Sequence, residues 1–478
     1  MTSFLAANIG PLMFAGLVIL LLVGYPVAFS LAAVGLLFGL IGIEAGLLQF
    51  SLLQALPQRI YGIMQNETLL AIPFFTFMGL ILERSGMAEE LLDTIGQLFG
   101  PVRGGLAYAV VFVGALLAAT TGIVAASVIS MGLISLPIML RYGYDQRLAT
   151  GVIAASGTLA QIIPPSLVLI VMADQLGRSI GELYRGALIP GLLLTAMYAA
   201  YVLIVSVVRP AAAPALPPHA RTLRGMRLGR RVAVSLLPPV VLIFLVLGTI
   251  FLGVATPTEG GAMGATGALV LTALEGRLDR RVLGQALEST TRLSCFVMFI
   301  LIGSTVFGLV FRAVDGDLWV ERLLTSLPGG AIGFLVAVNL LVFVLAFFLD
   351  YFELAFIIVP LLAPVAEKLG IDLVWFGVLL GVNMQTSFMH PPFGFALFYL
   401  RGVAPKEVTS GNIYRGAIPF VCIQLLMVGL LIAFPQLADH RDSQRHEGVA
   451  APIETPFLDN PDFPPTLFEL KPDRQPDR

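Results

Sequence analysis

The chain has 478 residues, 57% of them hydrophobic and only 12% charged, with a formal net charge of -2. A soluble protein carries about 25% charged residues, so a soluble globular domain is excluded. The apolar residues come in continuous blocks rather than in alternation, which excludes a transmembrane barrel and predicts an all-α polytopic membrane protein.

None of the three lysines, Lys368, Lys406 and Lys471, stands in a G-x-x-x-x-G-K-[ST] loop, so ATP held in a P-loop is excluded. The charge pattern points to lipid and not to nucleic acid as the surrounding partner. Cys295 and Cys422 fall in apolar segments and read as packed free thiols, not as a disulfide or metal site.

In chain order, residues 1–67 form N-terminal scaffold helices and a surface helix. The apolar block 11–42 is broken at Gly24-Tyr25-Pro26 and reads as two tilted crossings, while 49–66 mixes polar and apolar residues and suits the membrane surface. The N-terminus lacks the basic region of a signal peptide and is expected to stay as membrane helix. Residues 68–208 hold spans at 68–84, 103–118, 119–140, 147–172 and 187–208. The loop 209–231 carries six arginines and no acid, which places it in the cytoplasm. It opens a connecting region, 209–292, with room for two crossings around "ATPTEGGAMG", where Glu259 reads as a turn or cap residue. Residues 293–435 hold spans at 293–313, 332–350, 352–367, 373–400 and 416–435. The polar, proline-rich stretch 436–478 reads as a disordered tail.

The regions 68–208 and 293–435 are copies of one another. "YRGALIP" at 184–190 matches "YRGAIP" at 414–419. Upstream, Pro164-Pro165 matches Pro391-Pro392, Asp145 matches Asp372, Gly143 matches Gly370, and Pro137 matches Pro364, all at an offset of 227. The first copy ends at the cytoplasmic arginine loop and the second begins beside the basic segment 274–292, so each crosses an odd number of times from opposite sides. Inverted-topology repeats with broken helices are the layout of secondary transporters.

The polar interruptions are "AATTGIVAAS" (118–127) and "ASGTLAQIIPPS" (155–166) in copy one. In copy two they are "FLDYFE" (348–353) and "NMQTSFMHPP" (383–392). Unwound backbone in a membrane must be buried in protein or line a cavity. Its carbonyls, with Ser, Thr and Asn oxygens, make a hard cage suited to an alkali cation, and the half-helices that follow point positive dipole ends at an anionic substrate. Each group also has a structural reading. Thr120, Thr121, Ser127, Ser156, Gly157 and Thr158 suit close helix packing. Asp350 and Glu353, three apart, share one helix face and pair either functionally or structurally. His390 reads as a satisfied neutral imidazole. The two proline pairs read as tip geometry, with backbone facing the substrate. Arg185 and Arg415 read as snorkelling to headgroups.

The strings "ATTGIVAASV", "ASGTLAQIIPPSLVLIV", "GVATPTEGGAMGA", "FLDYFELAFIIVPLLAPV", "VWFGVLLGVNMQTSFMHPPFGFALFYLRGVAP" and "IYRGAIPF" resemble the large permease subunit of tripartite ATP-independent periplasmic (TRAP) transporters. Within that family they are most similar to the branch named for mannitol and chloroaromatic compounds. The resemblance covers nearly everything up to about residue 435. It implies a multi-pass protein of the bacterial inner membrane whose two inverted repeats, each with a re-entrant hairpin and a discontinuous helix, move as an elevator. It further implies sodium-driven uptake of a small organic anion, a periplasmic substrate-binding protein, a small four-helix membrane subunit, and no cofactor beyond the coupling Na+.

Mapped residue by residue, the ion positions fall on Thr120, Thr121, Gly122, Ser156, Gly157, Thr158, Asp350, Glu353, Asn383, Gln385 and Thr386. The substrate positions fall on Ser127, Pro164, Pro165, Ser166, Ser387, His390, Pro391 and Pro392. This chain has "TTGIVAA" where many members carry a "GISGS"-like hairpin. A stand-alone anion:cation symporter is the alternative. An intramembrane metal-dependent enzyme would need a second acidic cluster beside "DYFE", and copy one has none, so the reading is not an enzyme.

Overall fold

The computed structural model describes residues 2–438, and every regular element among them is a helix. Helices α1 (Thr2–Val23) and α2 (Val27–Glu44) are separated by left-handed Gly24 and by Pro26, which lacks a backbone N–H. The short α3 (Ser51–Gln54) and α4 (Leu56–Met64) bury no residue and bend by 48° into α5 (Glu67–Arg84). The first repeat continues with α6 (Met87–Phe99), α7 (Gly105–Thr121), α8 (Val124–Arg141), α9 (Gln146–Thr158), α10 (Leu167–Leu176) and α11 (Ile180–Val208). Two connecting helices follow, α12 (Gly225–Phe251) and α13 (Pro257–Leu274). The second repeat comprises α14 (Arg280–Ala313), α15 (Gly316–Thr325), α16 (Gly330–Leu345), α17 (Tyr351–Ile357), α18 (Val359–Lys368), α19 (Leu373–Gln385), α20 (Phe395–Val403) and α21 (Ser410–Ala433). Six helices are long and apolar enough to cross a membrane, or eight if two bent pairs each count as one.

Some sequence boundaries shift. The position 293 lies inside the continuous helix α14, which starts at Arg280 because Asp279 accepts a hydrogen bond from the Val282 N–H and caps it. Residues 436–438, expected to belong to the tail, are instead ordered: Pro435–Ala438 forms a turn whose Ala438 is buried against α11 and α19. Residues 439–478 lie outside the described residues. Cys295 and Cys422 are exposed on α14 and α21, not packed, because both sit on outward helix faces. Arg185 does not snorkel outward. Its guanidinium donates to the Phe251 carbonyl and lies 5.7 Å from that ring's centre, tying α11 to α12. Arg415 is exposed. Glu259 is a cap residue, closing a reciprocal box with Thr256 at the start of α13.

The repeat reappears as matched local chemistry. Asp145 and Asp372 cap α9 and α19 by accepting N–H groups at 2.8 and 2.9 Å, those of Arg147 and Trp375. Gly143 and Gly370, just before them, take φ of 83° and 72°, the left-handed turn that a side chain resists. One turn of 3-10 helix ends each of α9 and α19, at Leu159–Gln161 and Thr386–Phe388, and both proline pairs are cis.

Helices α2, α5, α13 and α14 pack together as a scaffold, so closely that a Cβ on Gly303 of α14 would lie 2.4 Å from the Ala28 carbonyl of α2. The amphipathic α6 is clamped beneath it, for Glu90 accepts from Arg277 and from the Ser235 hydroxyl at 3.1 Å. The Arg277 hydrogen bond holds the Glu90 carboxyl below the usual carboxylate range. The arginine loop is stitched into the first repeat. Its Ala212 and Ala213 carbonyls accept from the N–H groups of Asp145 and Gly104, Leu216 N–H donates to the Gly100 carbonyl, and the Gln97 amide donates to the Ala220 carbonyl.

Candidate functional site

Several helices of each repeat are too short to cross. At 1.5 Å per residue, the 17 residues of α7 rise about 26 Å, and 13-residue α9 and α19 about 20 Å, against a hydrocarbon core of about 30 Å. Their ends therefore stop inside the layer. In the first repeat α7 turns at Gly122 (φ 60°) and extended Ile123 into α8, and a Cβ on Gly122 would meet Leu167 at the start of α10 at 3.1 Å. In the second, α16 turns through residues 346–350 into α17.

The two hairpins are not equal. Helix α8 runs unbroken for 18 residues, whereas its counterpart is split at Ile358 into α17 and α18. Pro360 has no N–H to give the Phe356 carbonyl, and the Ser304 hydroxyl of scaffold helix α14 donates to that carbonyl instead, at 2.7 Å. Ser304→Ala is expected to strand the carbonyl and destabilise by about 1–3 kcal/mol. Hydrogen exchange should then accelerate in 351–361 and stay unchanged in 124–141; equal change in both would sink this account.

Asp350 and Glu353 have a structural job. Asp350 Oδ1 accepts the Glu353 N–H and Glu353 Oε2 accepts the Asp350 N–H, both at 2.8 Å, a reciprocal box that starts α17. Asp350-x-x-Glu353 is the spacing of such a box, so the pattern was readable as a cap. Among the described residues no cluster of three His, Cys, Asp or Glu side chains is placed to hold a metal.

The broken helices are different in kind. Ser156, Thr158, Ser166, Asn383, Gln385, Thr386, Ser387 and His390 are all at most 2% exposed. Several hydroxyls are locally satisfied: Thr120 donates to Leu117, Thr158 to Ala155, Ser166 to Gln161 and Thr386 to Asn383, each onto a carbonyl. Ser166 also caps α10 by accepting from Leu169 N–H. Others are buried with no partner: Ser156 Oγ, Gln161 Oε1, Asn383 Oδ1, Gln385 Oε1 and Ser387 Oγ. Buried polar groups left so are costly and call for an ion, water or ligand. Ser156 and Gly157 are wedged under the first hairpin; a Cβ on Gly114 would sit 2.5 Å from Ser156 Cβ, and one on Gly157 2.3 Å from Val128. Their counterpart in copy two is polar, Asn383 donating to the Asn339 carbonyl and side-chain oxygen at 2.8 and 3.0 Å. Ser127 is buried, and Thr121 ends α7.

The His390 ring is gripped by the second hairpin, stacked on Phe347 at 4.2 Å and edge-on to Phe343 at 4.3 Å, and it is not the satisfied imidazole expected, since both ring nitrogens are buried without a hydrogen-bond partner among these apolar faces. The proline pairs differ in exposure, Pro164 and Pro165 being buried and Pro392 exposed.

The two copies meet directly. Gln385 donates to the Thr158 hydroxyl at 3.0 Å, and these are equivalent positions, 227 apart. The pseudo-two-fold relation between the repeats therefore passes between them. Gln424 of α21 also donates to Thr158, at 3.4 Å, and to the Tyr198 hydroxyl of α11 at 2.9 Å. Tyr198, Gln424 and Asn339 escaped the sequence reading because each is a lone polar residue in an apolar helix whose partner is far off in sequence.

Residues 14–437 match the family described as the tripartite ATP-independent periplasmic transporter, DctM component. The chain is 30% identical, over 80% of its length and 88% of the relative's, to a C4-dicarboxylate TRAP transporter large permease protein of Pseudomonas aeruginosa. It is 30% identical to the sialic acid large permease of Vibrio cholerae, covering 87% and 94% of the two chains. It is 29% identical to the ectoine large permease of Halomonas elongata, covering 89% and 97%. Its fold resembles the solved structure of the Alcanivorax borkumensis YdaH transporter, with a TM-score of 0.58 and 16% identity, over 82% of this chain and 91% of that one. With its repeats, broken helices and matched span in view, the chain belongs to the TRAP transporter large permease family, as an inner-membrane transporter subunit and not an enzyme.

Proposed function

We propose that this permease carries a small organic carboxylate inward, coupled to sodium, with the substrate handed over by a periplasmic binding protein and the scaffold completed by a small four-helix membrane subunit. The observation that carries the reading is the set of buried, unpartnered oxygens at both helix breaks: Ser156 and Gln161 in one repeat, Asn383, Gln385 and Ser387 in the other. Neutral hard oxygens beside freed carbonyls fit an alkali cation and fit a soft metal poorly. Thr120, Thr121 and Gly122, with Gly157, Thr158 and Thr386, would shape the two cages, and Asp350 and Glu353 would lend charge from the second hairpin. The N-terminal ends of α10 and α20, behind Pro164-Pro165-Ser166 and Pro391-Pro392, would face the substrate anion, with Ser127, Ser387 and His390 beside it. Loading both cages neutralises the anion, so the repeats would carry it across as an elevator only when filled.

The test is the thermal midpoint in sodium against potassium at equal ionic strength, for wild type and Asn383→Ala. Sodium at 100 times its Kd should add about 2.7 kcal/mol, and the substitution should weaken that gain. Identical midpoints in both salts over a wide range would remove sodium coupling. Proteoliposome uptake without any binding protein would favour a stand-alone symporter.

A further inference from the structure

Asn339 is a buried asparagine in α16, the apolar first arm of the second hairpin, where an amide is costly unless it serves a partner. The same place in the first hairpin holds a glycine. Both first arms start at a left-handed glycine, Gly104 (φ 76°) and Gly329 (φ 95°), and Gly114 and Asn339 each stand ten residues beyond. Each packs on the broken helix of its own copy, Gly114 against Ser156 and Asn339 against Asn383, which are themselves equivalent positions.

The two pairs differ in what they can present. A serine hydroxyl can turn its oxygen to any neighbour, so Ser156 needs no guide and a glycine opposite suffices. An amide has two opposite ends, and its NH2 turned into an oxygen cage would repel a cation. Asn339 selects the end that faces its helix. Its own Nδ2 donates to the Leu335 carbonyl at 2.8 Å, so it offers Asn383 only oxygens. The Asn339 backbone carbonyl at 2.8 Å and Oδ1 at 3.0 Å both accept from Asn383 Nδ2. A reversed amide would set oxygen against oxygen. Asn383 Oδ1 is thereby left buried and bare.

We propose that Asn339 is the positioning residue of the second cage, holding the Asn383 amide so that its oxygen and not its nitrogen meets the coupling cation. The inference rests on the sodium reading above and adds that the two cages are supported differently. The first needs only room beside Ser156, while the second depends on a side chain behind its ligand.

The test uses the purified full chain in detergent, its thermal midpoint followed as sodium replaces potassium at constant ionic strength. Asn339→Leu, and the smaller Asn339→Ala, should weaken the apparent sodium affinity about tenfold, the usual loss for a group behind a metal ligand. Asn339→Asp still accepts and cannot donate, so it should bind sodium at least as tightly as wild type. A fall confined to the midpoint in potassium, with sodium affinity intact in the Leu and Ala variants, would make Asn339 a packing residue and overturn the role. So would an Asp variant that loses sodium as the Leu variant does. Both outcomes leave sodium coupling standing, whereas no sodium response in wild type would remove the sodium reading and this role with it.

Discussion

Gly416→Val should yield no folded, monodisperse protein. Gly416 of α21 lies on α9 with no room for a side chain: an added Cβ would be 2.2 Å from the Arg147 carbonyl and 2.9 Å from the Thr150 hydroxyl oxygen. The fit is mutual, since a Cβ on Gly151 would lie 2.2 Å from the Gly416 carbonyl. Overpacking among side chains costs about 1–3 kcal/mol, and here the obstacle is backbone that cannot rotate aside. Gly416→Ala brings the same Cβ against that carbonyl and should already lower the midpoint steeply, the two further methyls of valine removing the fold that remains. Gly429 on the same helix has open space around it, so Gly429→Ala should match or exceed wild type by about 0.5–1 kcal/mol through helix propensity. Size-exclusion profiles and thermal midpoints of the three variants decide the matter. A well-folded Gly416→Val would mean that α9 and α21 are not in backbone contact.

The second large effect separates two jobs at Asp350. As an N-cap it needs only a side-chain oxygen, which asparagine supplies, whereas charge compensation for a cation needs the carboxylate. Asp350→Asn should therefore keep the wild-type midpoint in potassium but lose most of the sodium-induced rise and most sodium-driven uptake. Asp350→Ala should lose the cap as well, for about 1 kcal/mol more. If Asp350→Asn transports like wild type, the residue is a cap alone and the charge at the second hairpin is dispensable.

Much of the architecture was readable because it is written in local chemistry. Gly24 with Pro26, Gly143 before Asp145 and the two proline pairs break helices by what they lack or permit, and the repetition of the glycine, aspartate and proline pairs at one offset, without Gly24 and Pro26, exposed the duplication. The split at Ile358 was hidden, since Pro360 sits in an apolar run that reads as one span and the sign of the break, Ser304 on Phe356, is a tertiary contact. The stitched arginine loop was hidden for the same reason: its anchors are backbone carbonyls of alanines. Asp350 and Glu353 were read as acids sharing a face, when their three-residue spacing is also that of a cap. The unpartnered oxygens of Asn383 and Gln385 fall in the string singled out for its polarity, but only coordinates could show which hydroxyls nearby were already satisfied.

The hydrogen bond between Thr158 and Gln385 bears on how such a chain arises. Two identical halves facing each other across a two-fold place every axial residue against its own copy, so a glutamine amide cannot meet a threonine hydroxyl there. Once both halves are joined in one polypeptide, the two positions mutate independently and a donor can be matched to an acceptor. The contact at the axis is thus a bond closed to a dimer of identical halves, and at this point the two copies are no longer interchangeable.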